Sequence, residues 1–117
     1  MKRYVICAID VEGFHRWPGA PDNLDYLRDR HRHIFQIRME FEVSHGDREI
    51  EINERQSQVK RFLLAKYASA DFYQGAEGAC EFGAMSCEQI AEELLDKFGA
   101  ASCKVLEDGY GGAKIVR

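Results

Sequence analysis

"RDRHRHIFQIRMEFEV", residues 28–43, holds the clearest periodicity in the chain. Phe35, Ile37, Met39, Phe41 and Val43 occupy every second position, with Gln36, Arg38, Glu40 and Glu42 between them. Successive side chains of a strand point to opposite faces, so residues 31–43 read as a strand with its odd face inward. Extending that row backward reaches His33 and then His31, while Arg30 and Arg32 fall on the opposite face.

A second alternation covers residues 4–13. Val5, Cys7, Ile9 and Val11 share one face, and Ile6, Ala8 and Asp10 take the other. Extending the odd face forward reaches Gly13 and then His15. If the two strands pair antiparallel, the end of the first lies beside the start of the second, and His15 meets His31 and His33. Three neutral imidazoles converging at a sheet rim suit zinc, with a fourth position open to water or substrate. An H-x-H motif beside "RDR" is also a common feature of solvated charge runs, and both readings stand at this level. His45, in the turn "SHGD", reads as a surface residue.

The remaining chain alternates helix and strand signals. "HRWPGAPDNLDYLRDR" turns and loops, and "REIEI" suits extended chain. Val59, Phe62, Leu63 and Tyr67 recur at helical spacing within residues 53–67. A glycine-bearing loop, "QGAEGACEFGA", follows. Ser86 and Gln89 form a capping-box pair ahead of the apolar stripe Ile90, Ala91, Leu94, Leu95 and Phe98, which Gly99 ends. "CKVLE" and "AKIVR" read as two strands joined by the turn "DGYGG". The pattern predicts one α+β domain over residues 1–117, ordered strand, strand, helix, helix, strand, strand.

Bulk properties narrow the function classes. A chain of 117 residues supports one modest core. A net charge of −4 argues against broad binding of nucleic acid or an anionic membrane. No apolar run approaches the roughly 20 residues that span a bilayer. The start "MKRYVICAID" lacks the cleavage pattern of a signal peptide. Cys7, Cys80, Cys87 and Cys103 show no C-x-x-C spacing, so free thiols and a cytoplasmic location are expected.

Four motifs in chain order give the sequence a resemblance to the tetrahydropterin-synthase family, which includes the 6-pyruvoyl and 6-carboxy synthases. The family's first strand ends F-x-A-x-H, here "VEGFH" at 11–15. Its second strand opens H-G-H before an apolar alternation, here "HRHIFQIRMEFEV" with Arg32 in place of glycine. Its second helix starts with Ser or Thr followed by Glu, here "SCEQIAEEL", and its third strand ends in Glu, here "CKVLEDG". The resemblance spans nearly the whole chain. It implies a T-fold, a four-stranded antiparallel sheet with two helices on one face (ββααββ). It also implies homo-oligomers that join edge to edge into barrels, such as hexamers. The zinc ion would sit on His15, His31 and His33. Glu107 would anchor a pterin or purine-like ring in an intersubunit pocket, with Ser86 and Glu88 as further ligand-binding residues. Glu107 also fits a plainer reading, a strand-end carboxylate turned to water.

Two family features are missing. The enzymes carry a cysteine base four or six residues ahead of H-x-H, where this chain has Leu27 and Asp25. Asp25, or Asp29, is the candidate to carry protons in its place. The family's Asp-His pair is also lacking. Its region, "AKYASADFYQG", holds Asp71 and Tyr73 but no histidine. Two functions are therefore expected as alternatives, beside a plainer one, an assembly protein whose zinc only holds the loop in place. One is a zinc-dependent carbon–oxygen lyase of the tetrahydropterin-synthase type. The other is a non-catalytic protein that captures a pterin or nucleotide, with Arg16 and Arg28 available to phosphate groups.

Overall fold

The computed structural model describes residues 1–70 and 78–117. Asp71 and Tyr73 lie outside them. Strand β1 (Arg3–His15) pairs antiparallel with β2 (His31–Val43) along its whole length, from Arg3↔Val43 to His15↔His31. A 3-10 segment, Asp22–Arg28, lies in the connection. Helix α1 (Ile52–Lys66) follows, then the short strand β3 (Cys80–Gly83) and helix α2 (Cys87–Phe98). Strands β4 (Ser102–Glu107) and β5 (Gly111–Val116) form the closing hairpin. The sheet runs β3-β1-β2-β4-β5.

The alternation of the two long strands determines which face is covered. Cys7, Val11, Phe35, Ile37, Met39 and Phe41 are buried on the odd face, with Cys103 and Val105 of β4. Val59 and Leu63 of α1, and Ile90, Ala91, Leu94 and Leu95 of α2, join the same cluster. Both helices therefore lie on one side of the sheet. Helix α2 is closed at both ends: Ser86 and Gln89 exchange side-chain bonds with each other's backbone N–H, and Gly99 terminates it at φ 65°.

Three expectations need correction. Among the described residues the sheet has five strands and is mixed, because β3 pairs parallel with β1 at Gly13↔Cys80 and Phe14↔Glu81. Its four residues lie in a segment read as loop. Cys80 and Phe82 do alternate inward, but a run that short carries too little periodicity to identify a strand. The antiparallel part, β1-β2-β4-β5, does have four strands. "REIEI" does not form a strand, because Glu51 instead caps α1 by accepting from Glu54 N–H at 3.1 Å. No described helix is long and apolar enough to cross a membrane.

Gly13 of β1 pairs with His33 of β2 on one side and Cys80 of β3 on the other. A Cβ there would stand 2.8 Å from ring carbons of both Phe35 and Phe82, two buried side chains packed edge to face at 5.1 Å. Overpacking of this kind costs about 1–3 kcal/mol. Gly13→Ala is thus expected to lower stability by that amount in chemical denaturation, with an unchanged m-value.

Candidate metal centre

The β1–β2 register brings His15 opposite His31 and places Gly13 opposite His33. The three rings lie 4.5–5.3 Å apart between centroids, all edge to face. Phe35 forms their floor, 5.2 Å from the His15 ring and 5.6 Å from His33. Glu107 enters from β4, paired with Phe35 at the end of the β2–β4 ladder. Its Oε2 stands 2.8 Å from His15 Nε2 and 3.3 Å from His33 Nε2. One ligand atom from each of these four residues lies within 4.8 Å of all the others, a group able to hold a metal ion.

Each ring is held by its other nitrogen. His15 Nδ1 is 2.9 Å from the Met85 carbonyl, and His31 Nδ1 is 2.9 Å from the Asp29 carbonyl. His33 Nδ1 is 2.7 Å from Asp108 Oδ2. These partners only accept hydrogen bonds, so in its neutral form each ring carries the proton on Nδ1 and presents the Nε2 lone pair. Such outer partners are the usual means of orienting metal-binding imidazoles.

The electrostatics of the neutral site are unfavourable on their own. His15 is buried, and in its neutral Nδ1–H form its Nε2 meets no donor, only the Glu107 carboxylate 2.8 Å away. With Nδ1–H directed at Met85, the Nε2 lone pair faces the acceptor-only Glu107 carboxylate. A second proton or a cation between them satisfies both groups. A divalent metal fits this donor set, three imidazoles with a carboxylate beside them, all within 4.8 Å of one another.

The titration shifts show the proton as the alternative occupant. Burial opposes charging of His15, yet the hydrogen bond with Glu107 and the Met85 carbonyl leave its pKa raised. The bond with His15 holds the Glu107 carboxyl below its ordinary value, against desolvation.

The site opens into a cleft of about 600 Å³ lined by His15, His31, Glu107, Trp17, Leu27 and the start of α2. Ser86 and Glu88 both border it. Ser86 Oγ accepts from Gln89 N–H at 3.2 Å, so much of its bonding capacity serves the helix cap. Glu88 is exposed. Cys87 also lines the cleft, but burial and the nearby Glu107 push its thiol up to about 12, which keeps it protonated at neutral pH.

Asp25 is exposed on the 3-10 segment and does not line the cleft, whereas Leu27 does. The exposed Asp29 meets the site through its carbonyl oxygen. Arg16 borders the cleft, while Arg28 is bonded to Asp22 and the Ala20 carbonyl. His45 is exposed beside Glu49. Met85 and Asp108 are the residues that sequence reasoning missed. A backbone carbonyl leaves no sequence signal, and Asp108 lies 75 positions from His33. Compared with known proteins, the chain matches no family model, and no curated protein matches it.

The two pKa directions predict opposite pH responses with and without metal. A raised His15 pKa stabilises the metal-free fold fully below the ordinary 6.5, and this is lost as pH rises through the raised value. A lowered Glu107 pKa stabilises above the ordinary 4.5, and this is lost as pH falls through the lowered value. The metal-free pair therefore contributes most between about pH 4.5 and 6.5. A metal held by imidazoles needs them neutral, so stabilisation by an added divalent ion would grow over about pH 6 to 8 while the pair's contribution declines. Thermal melts in chelator and in excess zinc, compared across that range, measure both trends.

Proposed function

We propose that this chain is a zinc-binding T-fold protein of the tetrahydropterin-synthase type, which takes a pterin or related purine-like ring into the cleft beside its metal. The observation that carries this reading is the gathering of His15, His31, His33 and Glu107 at the head of that cleft, with the buried His15 Nε2 2.8 Å from the Glu107 carboxylate. With zinc on the three imidazoles and Glu107 kept for the ligand, a fourth position would stay open to water or substrate, as in catalytic rather than structural zinc sites. Bound zinc would supply Lewis-acid polarisation of a carbonyl or vicinal hydroxyls, or a water of lowered pKa.

The chain's own residues would divide the remaining work. Glu107 accepts hydrogen bonds from adjacent ring N–H groups, a charge-assisted contact that orients a planar heterocycle. Ser86 and Glu88 border the same space from the start of α2. Trp17 and Leu27 supply apolar wall, excluding water from one side of the ligand. Edge-to-edge assembly into a barrel would enclose the cleft between subunits and cover the sheet edge at β5.

A second reading, non-catalytic capture of the same ligand class, is favoured by Leu27. An aliphatic side chain lines the cleft where the synthases carry a proton-transferring cysteine, while Asp25 is exposed. Proton transfer requires a group within hydrogen-bond reach of the substrate.

Elemental analysis of purified protein is expected to find zinc, and His31→Ala to deplete it. A pterin at 100 times its Kd should stabilise the zinc-loaded protein by about 2.7 kcal/mol, seen as a raised Tm. Glu107→Ala should abolish that shift. Under the lyase reading, Asp25→Asn eliminates turnover and leaves the shift in place. Under the capture reading, the wild-type protein returns the pterin unchanged.

A further inference from the structure

Glu107 and Asp108 are consecutive residues that reach the same imidazole from opposite ends. Glu107 Oε2 stands 3.3 Å from His33 Nε2, and Asp108 Oδ2 stands 2.7 Å from His33 Nδ1. Two neighbouring side chains can bracket one ring because Asp108 begins the β4–β5 turn at φ 55°. Aspartate and asparagine adopt this left-handed conformation more readily than most residues.

Asp108 is itself held at three points. Its backbone N–H donates to the Ile34 carbonyl at 2.8 Å. Its Oδ1 accepts from the Ile34 N–H at 2.8 Å, which leaves Oδ2 for His33. Ile34 immediately follows His33 on β2, so turn and strand are locked together beside the ring.

We propose that Asp108 is the positioning residue of the metal centre, keeping the His33 proton on Nδ1 so that Nε2 remains a lone-pair donor to the metal. This rests on the metal reading above and adds a residue to it. His15 and His31 are oriented by backbone carbonyls, which no side-chain substitution at Met85 or Asp29 removes. His33 alone among the three depends on a side chain for that orientation, so its ligation can be switched by one mutation.

Asparagine at position 108 tests this directly. It tolerates the same φ, and its Oδ1 can keep the bond from Ile34 N–H. The amide NH2 then faces His33 Nδ1. The opposite amide orientation would set a donor against the Ile34 N–H. A donor at Nδ1 selects the tautomer with its proton on Nε2, which removes the metal-binding lone pair. Glycine at 108 also tolerates the turn and leaves the ring free to take either tautomer.

Zinc affinity of the full-length protein is measured by competition with a chromophoric chelator, alongside melts of the metal-free forms. Losing an outer-shell carboxylate partner weakens metal binding about 10- to 100-fold. Asp108→Gly is expected near the lower figure and Asp108→Asn at or beyond the upper, with the metal-free melting temperature of Asp108→Asn close to wild type. Long-range 1H–15N spectra of metal-free Asp108→Asn should show His33 protonated on Nε2. Wild-type affinity in Asp108→Asn, or an equal loss in both variants, overturns the positioning role while leaving the metal reading intact. A wild-type protein that takes up no zinc overturns both.

Discussion

The thirteen-residue pairing of β1 with β2 is the constraint from which the rest of the structure follows. It places the odd faces of both strands in one apolar layer and carries that layer to its rim, where the row changes from Val11 and Phe35 to His15, His33 and His31. A slip of one residue would turn the apolar row to solvent and send the histidines to opposite faces. Burial of Phe35, Ile37, Met39 and Phe41 opposes such a slip. At about 1.5–3 kcal/mol for each large apolar side chain, the register is held far more firmly than any single contact at the site could hold it.

The site uses that rigidity to maintain an arrangement that is unfavourable by itself. In the neutral form the buried His15 Nε2 lone pair faces the Glu107 carboxylate, and a buried polar atom left unsatisfied in this way costs about 1–3 kcal/mol. It persists because the Met85 carbonyl fixes one end of the ring and the Phe35 edge-to-face contact supports its side. Whatever cation fills the gap, a proton or a metal, recovers that cost. Local frustration inside a well-packed frame is expected of a binding site, since the surrounding core maintains it.

The two sides of the sheet rim divide their labour by charge. On the odd face, imidazoles converge on carboxylates. On the other face, Arg30 pairs with Glu81 and Arg32 with Glu12, and the Arg30 guanidinium lies 3.7 Å from the Phe14 ring centroid. Alternation keeps those permanent cations off the histidine face, where they would oppose a metal ion. The same strands thus build a face able to hold a cation and a cation-bearing one within a single layer.

Local pattern alone determined the phase of both long strands, the shared face of the three histidines, both caps of α2 and the closing hairpin. Each of these depends on residues only a few positions apart, where periodicity and capping chemistry act. Tertiary structure decided what depends on distant partners: the parallel addition of β3, the approach of Glu107 to the imidazoles, and the orientation of the rings by Met85 and Asp108. It also decided that Leu27 rather than Asp25 borders the cleft, because a 3-10 segment in a loop has no periodicity that reveals its facing. A bond between residues 75 positions apart leaves no local pattern, and it forms only after the register has brought its ends together.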